Sequence, residues 1–429
     1  MGKINLKEKS ILVLDNGLFF EVALRLADFY GKVYYYTPWQ SAYPKMDLAV
    51  IGSEWKNGKM LNTFDGKNVE RIEEPYSYLP IIDICYCTDI YYGEFAELLR
   101  TAGIPSISAG NAEFLETDRY KTFTEMKSLG MDVPNTIRII GIEKLKQHLK
   151  SVKNKWVKIS KYRAEFETFH HVEFYLTEPL LNEIQVNLGP LKDITEFIVV
   201  DDIEADVEEG IDTYTVHGEL PSVVSTGCEI KDTSYAMKLV KTDSISKGNK
   251  KVNEKFNRLL KKHKYQGFYS TEVRTTKDNK NYLIDPCCRH GLPSTFSYIE
   301  LFDNFGEIVW GIANGEMINP IYKHEYGMEL LISTRWDSGI QQSIYFPEKY
   351  RKNIKLLKPL KIDGKYYVNI KGFYFIASII ATGNSHEECA KKIKEIADSI
   401  KGYQLDIKTE GLDEAIEAFN TMEKISKNK

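Results

Sequence analysis

Glu272 and Asp285 are the residues whose type and spacing first suggest chemistry. They fall on two successive predicted strands, 267–274 and 281–286, joined by the turn Lys277-Asp278-Asn279-Lys280. A hairpin sets two such carboxylates side by side, where they repel, and a divalent cation relieves the repulsion. Mg²⁺ takes a few carboxylates together with phosphate oxygens and water, and Mn²⁺ accepts the same donors. Arg274 shares a strand face with Glu272, and Arg289 follows Asp285 closely, so bases that suit phosphate stand beside the acids. On pattern alone, a salt-bridged surface hairpin is the commoner meaning of such residues. Lys121 and Lys158 form a second set. Lys158 interrupts the apolar run Trp156-Val157-Lys158-Ile159. A lysine there either snorkels, the commoner outcome, or presents a fixed positive charge to a site.

Other groupings carry less. His170-His171 and Cys287-Cys288 lack ligand spacing to a matching partner, and Cys85, Cys87 and Cys288 read as packing. The chain has no GxxxxGK(S/T), no GxGxxG after the first strand, no GxSxG and no HExxH. Those absences remove the familiar phosphate-loop, nucleophile-elbow and zinc-protease readings.

The elements that must hold these residues follow from hydrophobic period. Short apolar runs at 10–15, 32–37, 48–52, 82–87 and 104–108 alternate with helical spacing at 19–30 and after 90. That order predicts a parallel, doubly wound sheet over residues 1–112. A helix over 112–130 leads to strands at 155–160 and 195–203, then to alternating strands at 211–217 and 221–226. A basic helix at 250–264 precedes the acidic hairpin, and helices follow at 297–314. A strand at 373–381, a helix at 385–400 and a frayed lysine-rich end close the chain. The expected divisions are 1–112, 113–330 and 331–429: α/β, then α+β, then a small α+β region.

Bulk composition agrees with a globular protein. The chain has 429 residues, 43% hydrophobic and 28% charged, and a formal net charge of -4. No polybasic block supports nucleic-acid binding, and no run is long and apolar enough for a membrane span. Six scattered cysteines and the absence of a signal-peptide core predict a reducing, cytoplasmic setting.

Taken in order, the pieces resemble the ATP-grasp superfamily, and within it phosphoribosylamine–glycine ligase, over roughly residues 10–420. Residues 82–121 are similar to that family's strand–helix–strand entry, and Lys121-Thr122-Phe123-Thr124 to its "K-x-F-x" helix start. Lys158 falls at the second nucleotide lysine. Phe197-Ile198-Val199-Val200-Asp201-Asp202-Ile203 resembles the adenine hinge "f-i-v-E-E-f-l", with Glu208 or Glu209 at the ribose position. Glu229-Ile230-Lys231-Asp232 lies at a "Q-D-x-K-r" segment. Residues 282–293, YLIDPCCRHGLP, resemble "v-i-E-x-N-x-R-x-G-d-P". Asp285 then matches the metal glutamate, Arg289 the phosphate arginine, Cys287 a metal-binding asparagine, and Glu272 the other superfamily acid. Residues 158–169 lack the family's glycine-rich phosphate cover. The first loop, Asn16 to Glu21, and the stretch 369–373 replace its phosphate-sugar contacts.

The resemblance implies an ATP-grasp fold, with a pre-ATP-grasp α/β domain at the front and a small C-terminal α+β region. It implies ATP and Mg²⁺ (or Mn²⁺), with Lys121, Lys158, Val199, Val200, Asp201, Asp202, Glu208, Glu209 and Arg274 around the nucleotide. Glu272, Asp285 and Cys287 are the expected metal set, and Arg289 and Lys158 the catalytic pair. The expected activity is an ATP-dependent carboxylate–amine ligase working through an acyl phosphate. Its substrates are a small carboxylate and an amine, in a monomer or homodimer, and the altered loops point away from phosphoribosylamine. The alternatives are a lapsed nucleotide-binding regulator and a ligase that modifies a nucleotide or base.

Overall fold

The computed structural model describes residues 4–38, 50–161, 168–205, 207–336, 341–368 and 374–428. The first sheet runs in the order Val69–Arg71, Lys32–Tyr36, Ser10–Leu14, Ile84–Cys87, Ser106–Ile107, all parallel. Its inner strands are buried on both faces, which is why they read as continuous apolar runs. The expected strand at 48–52 is not the third member. Residues 48 and 49 lie outside the described set, Val50 is an isolated bridge and Ile51 and Gly52 form a turn. Val69–Arg71 takes that place, a strand too short to show a period. Neighbours of Ser10–Leu14 leave in opposite directions, so the switch point lies between it and Ile84–Cys87. Ligand crevices of such sheets open there, beyond the carboxyl ends, and Asp15, Thr88 and Asp89 occupy that edge.

The expected helix over 112–130 is two pieces, Phe114–Thr117 and Arg119–Ser128. Asp118 breaks it: its side chain accepts the Lys121 amide at 3.1 Å and caps the second piece, a bond worth about 1 kcal/mol. Beyond it stands a four-stranded antiparallel sheet, in the order Thr168–His171, Lys155–Ile159, Glu196–Asp201, Thr136–Ile140. The helices Ile142–Leu149 and Phe174–Leu188 bury its inner face through Leu145, Leu149, Leu181 and Ile184.

The largest sheet carries the acidic hairpin. Its order is Asn281–Leu283, Gly267–Thr275, Val207–Thr215, Val223–Ile230, Ser234–Lys241, Tyr326–Thr334, Phe375–Gly383, Ile354–Leu356. The expected division at 330 falls within the Tyr326–Thr334 strand, so the C-terminal residues continue this sheet. The chain's end is also ordered: Glu410–Asn428 is a helix, where the sequence suggested fraying. It packs on Val223–Ile230 and Ser234–Lys241, burying Leu412, Ala415, Phe419 and Met422. A buried ionic staple ties the first domain to the later chain. Arg351 sits 2.9 Å from Glu21 and 2.7 Å from Asp65, and Lys361 sits 2.7 Å from Asp65. Among the described residues, no helix is long and apolar enough to cross a membrane.

Candidate functional site

The hairpin does not stay regular where its chemistry lies. Its ladder pairs Val273 with Leu283, and the Ile284 amide donates to the Glu272 carbonyl at 2.9 Å. Further along, Ser270 and Cys287 exchange both backbone bonds at 2.9 Å. Between those two linkages one strand carries only Thr271 and the other carries Asp285 and Pro286. The extra residue is a β-bulge. In a regular ladder Asp285 would face away from Glu272; the bulge turns it back to the same cavity.

That cavity has a volume of ≈ 640 Å³, and Glu208, Glu229, Glu272, Asp285, Cys287 and Arg289 are among its walls. The acids crowd one another. Burial first, then a hydrogen bond to Glu208 and the charges of Glu208, Asp285 and Glu229, hold the Glu272 carboxyl well above the ordinary range. Burial also opposes ionisation of Glu208, but its bond to Glu272 and the Arg274 guanidinium bring it below the ordinary range. The two shifts run in opposite directions, as expected of two carboxyls that titrate as one coupled pair. Glu229 opens to the cavity yet is surrounded by protein, and that low-dielectric surround, with Asp232, pushes it up to about 7.

Bases approach from other elements. Lys158, on Lys155–Ile159, places Nζ 3.7 Å from Asp285 Oδ1 and 3.4 Å from the Ile284 carbonyl. Arg274 Nε lies 2.6 Å from Glu208 and its Nη1 3.5 Å from Asp202. Arg289 Nε lies 2.7 Å from Glu116 and 3.3 Å from Asp89 of the first domain's switch point. Glu116 is 2% exposed and also accepts the Cys288 amide at 3.1 Å. It was absent from the sequence-derived set, as was its neighbour Arg119.

Several expected residues separate once placed. Lys121 is exposed, with Nζ 3.9 Å from the centre of the Phe114 ring, outside the cavity. Arg119, two positions earlier, is 6% exposed, bonds the Ile159 carbonyl at 2.7 Å and lines a crevice with Lys158 and Asp285. The Asp118 cap fixes that choice, because it starts the helix one residue before Arg119. Alternation likewise parts Glu208 from Glu209. Glu208 faces the cavity; Glu209, 6% exposed, bonds Ser246 on the opposite face. Val199 and Val200 are inner-strand residues whose neighbours on both sides are laddered. Asp201 pairs with Lys155 at 2.7 Å, and Asp202 accepts the Trp156 indole N–H at 2.9 Å. The backbone that leaves the ladder is Asp202 to Ala205, just past the expected hinge. The substituted stretch 369–373 and residues 162–167 of the expected phosphate cover lie outside the described residues.

Among the described residues no three His, Cys, Asp or Glu side chains converge as a self-sufficient metal cage. Glu272 and Asp285, whose charges oppose one another, still fit Mg²⁺, which leaves most of its positions to phosphate and water. Cys287 stands on the same wall, but a thiol is a softer donor than Mg²⁺ prefers.

Comparison with known proteins gives no sequence-level match: no protein-family model and no curated protein matches the chain. Solved structures do match. A phosphoribosylamine–glycine ligase from Thermotoga maritima aligns over 93% of this chain and 98% of its own, at 15% identity and a TM-score of 0.68. The biotin carboxylase domain of 2-oxoglutarate carboxylase from Hydrogenobacter thermophilus, in complex with MgADP, ADP and bicarbonate, aligns over 94% and 92%, at 12% identity and 0.63. An L-amino acid ligase from Bacillus licheniformis aligns over 92% and 98%, at 15% identity and 0.58. At such identities the likeness concerns architecture, which agrees from end to end: this chain has the ATP-grasp fold.

Proposed function

We propose that the protein is an ATP-dependent carboxylate–amine ligase that proceeds through an acyl phosphate and releases ADP and phosphate. One observation supports this above the rest: in an ATP-grasp fold, a bulge turns Asp285 to the cavity that Glu272 lines, with Lys158 3.7 Å away. Glu272 and Asp285 would hold Mg²⁺, whose charge would offset that building on the transferring phosphoryl group. Lys158 and Arg119, flanking Asp285, supply fixed positive charge to the phosphates. Glu208 suits the ribose hydroxyls, and the backbone of Asp202 to Ala205 suits the adenine edge. Arg289, locked by Glu116 and Asp89, is oriented to hold a carboxylate or its acyl phosphate against the nucleotide. No side-chain nucleophile takes part, because the substrate carboxylate itself attacks the γ-phosphorus.

ADP and phosphate release from Mg·ATP, across a panel of amino acids and amines, tests the reading. Turnover that vanishes in Glu272→Gln and Asp285→Asn supports it; tight ATP binding with no turnover on any acceptor sinks it. One feature favours a lapsed, nucleotide-binding regulator: Cys287 on the metal wall. That version predicts that a Glu272→Ala/Asp285→Ala double variant keeps its biological effect. A ligase acting on nucleic-acid bases is disfavoured, since the cavity offers acids where a phosphate backbone needs bases.

A further inference from the structure

Beyond the nucleotide-facing acids, the same cavity carries a second construction that neither ATP nor a metal requires. Asp212, on the Val207–Thr215 strand, lines the cavity and is 5% exposed. Its Oδ1 accepts the Ser270 hydroxyl at 2.6 Å and the Ser294 hydroxyl at 2.8 Å, and its Oδ2 accepts the Tyr235 hydroxyl at 2.8 Å. A carboxylate has about four acceptor positions, so one remains for a ligand. Its neighbours are hydroxyls, with no cation among them, and burial raises its pKa.

Tyr235 reaches Asp212 because the sheet beneath it is bare. Gly210 and Gly227 are cross-strand partners. A Cβ on Gly227 would come within 2.4 Å of the Tyr235 ring, and one on Gly210 within 2.6 Å of its hydroxyl. Two glycines in adjacent inner strands weaken packing, and their effect here is to let the ring lie flat and fix the Asp212 carboxylate.

The C-terminal helix completes this wall. Glu414, Glu417 and Thr421 project onto the cavity. Of its other acids, Asp413 and Glu423 pair with Lys394 at 2.8 Å and Lys238 at 3.3 Å. Glu414 and Glu417 are exposed and have no salt bridge among the described residues. Among the described residues, seven carboxylates and one base, Arg289, line the cavity.

We propose that the acceptor is a dibasic amine, a diamine or a relative of one, whose distal ammonium docks on Asp212 while Glu414 and Glu417 select cationic acceptors. This rests on the ligase reading for the fate of the reacting amine, but the recognition is a binding property. An ammonium offers three donors and a charge, matching an oriented carboxylate with a vacant acceptor position. A monoamine has no second ammonium to dock once its nitrogen is the reacting group, and an acidic amine meets the helix carboxylates as like charges.

Calorimetry on the full chain with Mg·ADP, titrated with 1,4-diaminobutane, tests the proposal, with butylamine and glutamate as comparisons. The expected result is saturable diamine binding, weakened roughly tenfold in Glu414→Gln/Glu417→Gln, a helix-surface change that leaves the core intact. Asp212→Asn, which keeps one acceptor oxygen for the serine hydroxyls and turns the other position into a donor toward the Tyr235 oxygen, weakens it at least as much. In turnover, the double variant raises KM for the diamine roughly tenfold more than KM for butylamine. Equal affinity of wild type and both variants for the diamine overturns the proposal, as does tighter binding of glutamate or butylamine. Diamine binding that responds to these changes without ADP release leaves this proposal standing and sinks the ligase reading. ADP release with monoamines and no preference for the diamine does the reverse.

Discussion

Replacing Glu272 with Gln is expected to change the proton count of Mg·ADP binding. Burial and the adjacent Glu208, Asp285 and Glu229 hold the Glu272 carboxyl well above its ordinary value, so the free protein favours a proton there. A carboxyl raised on folding contributes stability that is full below its unfolded pKa and is lost as pH rises through the folded one. A metal binds the carboxylate and must expel that proton. One proton released makes affinity rise with pH below the folded pKa, at up to tenfold per pH unit, about 1.4 kcal/mol. Glu229, pushed up to about 7, steepens the dependence below neutrality. Gln cannot carry the proton, and the slope in Glu272→Gln should fall by one. Calorimetry in buffers of different ionisation heat counts protons directly. An identical count in wild type and variant refutes proton release from Glu272, and with it the role of this carboxyl as a metal ligand.

Two more outcomes follow from side-chain placement. Arg119→Met should weaken nucleotide binding by about tenfold or more, while Lys121→Met, on an exposed helix face, should leave it within a factor of about two. Nucleotide-dependent thermal shifts of the two variants decide it, and the reverse ranking would return Lys121 to the site. Glu329 is 0% exposed and pushed up by burial to about 7, so its stabilising, protonated form is complete below about 4.5 and is lost as pH rises through 7. Glu329→Gln should therefore gain on wild type by about 2 kcal/mol more at pH 8.5 than at pH 5.5, the loss in wild type building up between pH 4.5 and 7. Urea unfolding at both pH values measures it, and a difference that ignores pH would show that Glu329 does not ionise in this range.

Much of this protein is legible in its sequence because the governing physics is local. Apolar runs of SILVL and ICYC become inner strands, Asp118 caps a helix, and two acids across a four-residue turn share a hairpin. The order of those pieces suffices to name the fold. What the sequence leaves open depends on direction. Glu208 and Glu209 are equivalent in a string, and only a strand's alternation sends one to the cavity and the other to Ser246. Arg119 and Lys121 are both bases at one helix start, and the turn geometry set by the cap decides which meets Lys158. Asp212 becomes a candidate only when Tyr235, Ser270 and Ser294 converge on it from three other segments. Asp285 shows the division most plainly. The sequence puts it on the strand after Glu272, but regular pairing would turn it to the far face. The additional residue of the bulge rotates it back, and no period in the sequence records that.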